Sequence, residues 1–280
     1  MGSSIGSVAW AEVEMPTVDH GAEVAQFHTR LLRVSLALDE SRTYWEHAMP
    51  ELPKTQRALL AFEGRWFGSK SMERVKRLLA EFSHRYEMYP DVLAVLRQWK
   101  PKDPVTRQNI CHWHLQLTDP MYRAFTGDFL EQRRFQSAAT INRDIAARWV
   151  SQNLSTQWAS ATVLRMATAL ITCATAAGLC ESTPGSRSLG YPKVTDEALG
   201  YWLYTLRGLQ FEGTLLANPY LASVGLSEGF LEDRLRQLSG LRFSRMGELH
   251  EFQWQYPDVS HWAKGELALT DQLHDREVMP

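Results

Sequence analysis

The chain lacks the glycine patterns that hold phosphates. Neither GxGxxG nor GxxxxGK[ST] occurs among its 17 glycines. The usual backbone cradles for dinucleotides and nucleoside triphosphates are therefore missing. No HExxH and no DFG/HRD pair is present either, which removes the sequence signs of zinc peptidases and protein kinases. Cysteine is scarce: three residues, Cys111, Cys173 and Cys180, odd in number and matching no zinc spacing. That excludes a disulfide framework and favours a reducing, cytoplasmic setting. No long uninterrupted apolar run exists. The best stretch, 163–179, is broken by Arg165, three threonines, Cys173 and Gly178. It reads as a buried helix rather than a membrane span. The first ten residues carry no basic segment followed by an apolar one, so they do not form a secretory signal. Repeats and low-complexity tracts are absent.

What remains is ordinary globular material: 280 residues, 44% apolar and 22% charged, with ten tryptophans expected mostly as core anchors. The overall charge of −2 hides a strong separation. Residues 1–53 carry net −5, residues 54–107 net +6, 108–119 net −1, 120–195 net +4 and 196–280 net −6. A basic middle between acidic ends suits a polyanion on one face, or acidic ends docked on the chain's own basic middle.

Periodicity predicts a mainly helical fold, with a helical N-terminal bundle, a winged helix-turn-helix and a small α+β C-terminal part. Residues 1–22 are read as a flexible tail. A helical domain covers 23–104, with helices over 22–39, 43–49, 55–67, 71–84 and 90–99. The KPKDP stretch at 100–104 serves as linker. The central domain, 105–210, begins with helices over 106–117 and 121–135. A short helix over 140–151 then precedes a tight break at 152–154, and Ser155 caps a long helix over 156–177 that stops at Gly178. Residues 180–191 read as a hairpin with a Pro-Gly turn, followed by a helix over 196–209. Short helix, turn, longer helix and hairpin is the order of a winged helix-turn-helix. Residues 211–265 hold a loop at Asn218-Pro219, a capped helix over 227–238 and a hairpin of 241–246 with 249–256. A charged tail covers 266–280.

Candidate chemistry is sparse. Cys111, His112 and His114 are the one metal-like cluster, but positions i, i+1 and i+3 of a helix do not converge on one ion. No metal or cofactor is expected. Glu63, Asp128 and Glu131 stand singly on helices with basic neighbours, and none is read as a general acid or base. The basic positions carry more. Lys70, Arg74 and Arg77, with Lys76 and Arg85, occupy the polar face of the 71–84 helix. That face is either plainly solvated or a phosphate-contacting surface. In the 156–177 helix, Val163, Met166, Ala167, Leu170, Ala174 and Ala177 form a core stripe. Its first turns bear Thr156, Gln157, Ser160, Thr162 and Arg165, the positions from which a recognition helix reaches DNA. Arg187 stands where a wing would touch the backbone.

Several segments resemble a known family. HTRLLRVSLALDESRTYWE at 28–46, KSMERVKRLLAEFSHRYEMYP at 70–90, RDIAARWVSQ at 143–152 and above all WASATVLRMATALITCATAAGL at 158–179 are similar to BrxA-like proteins, the small A component of bacterial BREX phage-exclusion systems. Trp158, Thr162, Arg165, Leu170 and Gly178-Leu179 fill the family's W-x-x-x-T-x-x-(R/K)-x-x-x-x-L pattern and its small-residue end. The resemblance spans roughly residues 25–260 and is weakest in the acidic C-terminal portion. It implies a non-enzymatic, DNA-binding protein of antiviral defence acting beside larger defence components, with double-stranded DNA as partner and no membrane. RNA binding through the basic bundle and a protein-protein assembly adaptor are the alternatives.

Overall fold

The computed structural model describes residues 19–153, 158–247 and 249–267, and the fold they form is mainly helical. Much of its layout follows from caps. Three Asx-Pro pairs start helices: Asp103-Pro104, Asp119-Pro120 and Asn218-Pro219. In each the side chain accepts the N–H three residues on, at 2.7, 2.9 and 3.0 Å. The proline fills the first helical position, where no N–H is needed. The expected linker is thus a tight joint, and the expected loop at Asn218 is a helix start.

The N-terminal part holds strand β1 (Gly21–Ala22), α1 (Leu38–His47), α2 (Lys54–Glu63), α3 (Met72–Phe82) and α4 (Pro90–Trp99). Ser71 caps α3, and its last turn widens into a π turn over Ser83–Glu87. Two expectations fail here. Residues 19–22 are not a loose tail, because β1 pairs in parallel with β4 (Leu209–Gln210) and the His20 N–H donates to the Gly208 carbonyl. Residues 22–37 are not a helix, apart from a single 3-10 turn at Arg30–Leu32, and the helix begins only at Leu38. Their backbone groups are taken by other elements. Val24 N–H donates to Leu117, Arg123 donates to the Val24 carbonyl, and Arg85 donates to the carbonyls of Leu36 and Ser35. Those tertiary partners outweigh the helical spacing of the apolar residues.

Helix α5 (Pro104–Thr118) is the axis of the molecule, buried from Asn109 to Thr118. Trp113 stacks on Trp202 of α10 (Asp196–Arg207) at 5.4 Å and 15°. α5 also packs against α1 and the π turn after α3, so the core is continuous across residue 104. Next come α6 (Pro120–Ala124), a π turn and α7 (Leu130–Arg134).

β2 (Thr140–Ile141), α8 (Arg143–Asn153), α9 (Ser160–Ala176) and β3 (Arg187–Ser188) follow. Thr140 was expected to open a helix. It is instead in a strand, and Asn142 accepts the Ile145 N–H at the start of α8. α9 begins at Ser160 rather than 156, and the expected Ser155 cap lies outside the described residues. Its C-terminus closes as expected on Gly178, with φ +74°. Gly178 N–H reaches the Thr175 carbonyl and Leu179 N–H the Ala174 carbonyl, the pattern of a Schellman cap. Cys180 bridges Leu189, and β3 pairs antiparallel with β2. The 187–189 segment therefore lies between 140–141 and 180.

The C-terminal part contains α11 (Pro219–Ser223), α12 (Glu228–Gln237), the hairpin β5 (Leu241–Met246) and β6 (Leu249–Trp254), and α13 (Val259–Trp262). Leu241 pairs with Trp254 and Met246 with Leu249, in the predicted register. Tyr204, Trp254 and Trp262 join this part to α10. Among the described residues no helix is long and apolar enough to cross a membrane.

Candidate nucleic-acid interface

Helix α9 buries Val163, Met166, Ala167, Leu170, Cys173 and Ala174, as its 3.6-residue spacing requires. The opposite face is open. Ser160 and Arg165 are exposed and Thr162 is half-buried. Thr156 and Gln157 lie outside the described residues. Arg165 has no ion-pair partner among the described residues. Arg187 is half-buried on β3. Its guanidinium turns back to the Gly185 carbonyl at 3.3 Å, and its Nε is buried without a partner.

Lys70, just before the Ser71 cap, and Arg77 on α3 are exposed, and the helix's inner face is Val75, Leu78, Leu79 and Phe82. Arg74 is half-buried and donates to the Arg33 carbonyl at 2.9 Å. Arg85 is no part of a basic face. It is buried and serves as a strut for the 35–36 backbone. Arg85 continues the buried stripe of Leu78, Glu81 and Phe82, and the 35–36 backbone covers it.

The segment 31–35 runs beside the open face of α9 and ties these two surfaces together. Between them lies a groove of about 410 Å³ lined by Arg33, Arg143, Arg165, Thr168, Ala169 and Thr172, among others. Glu81, buried on α3, holds Arg30 at 3.1 Å and Arg33 at 3.2 Å. Arg143 and Arg148 on α8 are exposed with no acidic partner among the described residues. Arg148 lines a second groove of about 530 Å³ between α8 and α9, with Trp158, Ser160 and Leu164. Leu164 borders both grooves. Arg33, Arg143 and Arg148 escaped sequence reasoning because each is isolated along the chain. Only the packing of 31–35 on α9 brings them together.

A larger cleft, about 1100 Å³, has the opposite character. Glu23, Asp128, Glu212 and Glu232 line it together with Arg123 and Arg245. Glu23 lies 3.4 Å from Arg123 and accepts the Tyr220 hydroxyl and the Glu212 N–H. Partial burial, then the charge of Glu212, pushes the Asp128 carboxyl above its ordinary range. Such a cleft repels phosphates. The Cys111-His112-Trp113-His114 run is buried in α5 and its side chains diverge. His112 is hydrogen-bonded by Tyr122 and Ser223 hydroxyls, both at 2.9 Å, and His114 by Tyr201 at 2.7 Å. Cys111 lies against the Tyr86 hydroxyl.

Comparison with known protein families finds no matching family model, and no curated protein matches the chain.

Proposed function

We propose that this protein is a non-enzymatic DNA-binding component of a BREX-like anti-phage system, gripping duplex DNA through a winged helix-turn-helix. The observation that carries the reading is the order β2, α8, α9 and the 180–189 hairpin, with the hairpin's second arm paired back onto β2. That order supports a winged-helix reading, in which the open face of α9 with Arg165 faces the ligand. In this reading α9 lies in or over the major groove and Arg187 anchors the flank. Lys70, Arg74 and Arg77 add contacts to the phosphate backbone, so base specificity is low. The family resemblance supplies the defence context and the expectation that the chain works beside larger components.

An adaptor reading draws on a separate observation. Phe230, Met246 and Leu249 are each about 70% exposed on α12 and the C-terminal hairpin, more apolar surface than a hairpin tip needs.

Binding to duplex DNA and duplex RNA over a salt series tests the proposal. Arg165→Ala and Arg187→Ala should each weaken DNA binding about equally for all sequences and lower the salt slope by about 1. Two folded variants that bind as the parent does would remove the winged helix as the DNA surface. Preference for duplex RNA would favour the alternative in which the basic bundle binds RNA, and binding to neither would favour the adaptor.

A further inference from the structure

We propose that the groove between residues 31–35 and α9 is a phosphodiester site, in which Arg33, Arg143 and Arg165 together hold the backbone of one nucleic-acid strand. This rests on the DNA-binding reading and extends it to a segment outside the helix-turn-helix. Three guanidinium groups from three separate stretches of chain line one groove. Arg143 and Arg165 have no acidic partner among the described residues, and Arg33 shares its only carboxylate, Glu81, with Arg30. Like charges gathered without counter-ions repel, and an anion between them removes that repulsion. The guanidinium fork matches two phosphate oxygens at once, which makes arginine the suited residue for this ligand.

The wall of α9 facing the groove is built from small residues, Thr168, Ala169 and Thr172. The hydroxyls of both threonines donate to carbonyls of their own helix, at 2.9 and 2.8 Å. The wall therefore offers room rather than competing donors. The segment carrying Arg33 is held at both ends of its short run, by Arg74 on the Arg33 carbonyl and by Arg85 on the carbonyls of residues 35 and 36. Arg33 is thus presented from a fixed backbone, which lowers the entropy cost of gripping a ligand. Leu164 borders both this groove and the one that holds Arg148 and Ser160. Cations spread over two adjacent open grooves fit a linear polyanion better than a free monophosphate.

The test is duplex-DNA affinity of the full chain by fluorescence anisotropy between 50 and 200 mM salt. The variants are Arg33→Gln, Arg143→Gln and, as a charge control outside the groove, Arg97→Gln. A phosphate contact contributes a slope of about 0.9 in log affinity against log salt. Each groove variant should therefore reduce the affinity lost over that fourfold salt range by roughly 3.5-fold, with Arg97→Gln unchanged. Arg143 is exposed and unpaired, so its variant should fold as the parent does, whatever Arg33→Gln does to Glu81. Groove variants that match the parent, while Arg165→Ala and Arg187→Ala still weaken binding, overturn the groove and leave the DNA reading standing. Where the parent binds no duplex DNA, the function fails but the groove has its own readout. Titration with inorganic pyrophosphate should move the NMR side-chain Nε–Hε signals of Arg33, Arg143 and Arg165, and Arg143→Gln should weaken that response. Signals that stay still overturn the groove as a phosphate site.

Discussion

Acidification from pH 7.5 to pH 5 should destabilise this protein through two histidines of α5. His112 and His114 are both buried, and their imidazoles are held near a pKa of about 3, chiefly by desolvation. The positive charge of Arg134 adds to the effect on His112, and that of Arg85 to the effect on His114. In the unfolded chain each titrates near about 6.5. The folded state keeps them neutral while the unfolded state takes up protons, so their contribution is fully present above about pH 6.5 and is lost as pH falls toward 3. At pH 5 each loss is about 2 kcal/mol, about 4 kcal/mol for the pair, against a typical total of about 5–15 kcal/mol. Asp119 and Asp128 carry the opposite sign, since burial raises their carboxyl pKa and favours the folded state on acidification. Urea unfolding at pH 7.5, 6 and 5 measures the sum. The same series on His114→Gln isolates one imidazole: the variant should be less stable at pH 7.5 yet lose about 2 kcal/mol less than the parent by pH 5. A His114→Gln variant whose stability falls with pH as steeply as the parent's would refute the argument that this ring is buried neutral.

Other substitutions separate structural from binding roles. Leu170→Ala removes a fully buried side chain of α9 and should cost about 2–5 kcal/mol in chemical denaturation, weakening DNA binding only as far as it unfolds the protein. Arg85→Met strands the carbonyls of Leu36 and Ser35. It should cost about 1–3 kcal/mol while leaving the salt slope of DNA binding unchanged in the folded fraction. Gly127→Ala would place a Cβ 2.4 Å from the Pro219 Cβ and 2.6 Å from its carbonyl oxygen. The resulting shift of α11 should lower the denaturation midpoint by an amount worth about 1–3 kcal/mol.

The parts of the fold legible in the sequence are those where a local signal has no competitor. α4, α5 and α10 lie within two residues of their expected bounds, and the 241–254 hairpin has its expected pairing, because capping, apolar spacing and turn chemistry agree there. The failures have a common cause. Residues 22–39 carry helical spacing, but Leu117, Arg85 and Arg123 claim their backbone groups from far along the chain. Thr140 belongs to a strand for the same reason, since Arg187 and Ser188 supply its partners. Arg85 looked like part of a basic stripe because the 35–36 backbone that covers it comes from about fifty residues earlier in the chain. The candidate site was legible only as single positions, Arg165 and Arg74. Their meeting at residues 31–35 depends on a contact between α9 and a segment more than a hundred residues earlier.

Charge separation along the chain admitted two outcomes, a basic face for an external polyanion or acidic ends folded onto the basic middle. The ion pairs distinguish them. In the C-terminal part, Asp196 pairs with Arg234, Glu232 with Arg236 and Arg245, Asp233 with Arg236, and Asp258 with His261. These four carboxylates are matched within the same acidic third. From the N-terminal end, Glu23 alone among the described pairs reaches the middle, at Arg123. Further on, Glu81 and Glu87 engage Arg30, Arg33 and Arg57. Among the described residues none of these acids meets Arg143, Arg148 or Arg165. The described ion pairs thus bypass the cations around α9. On the proposed reading, those cations along two neighbouring grooves suit an extended anion better than a single acidic side chain.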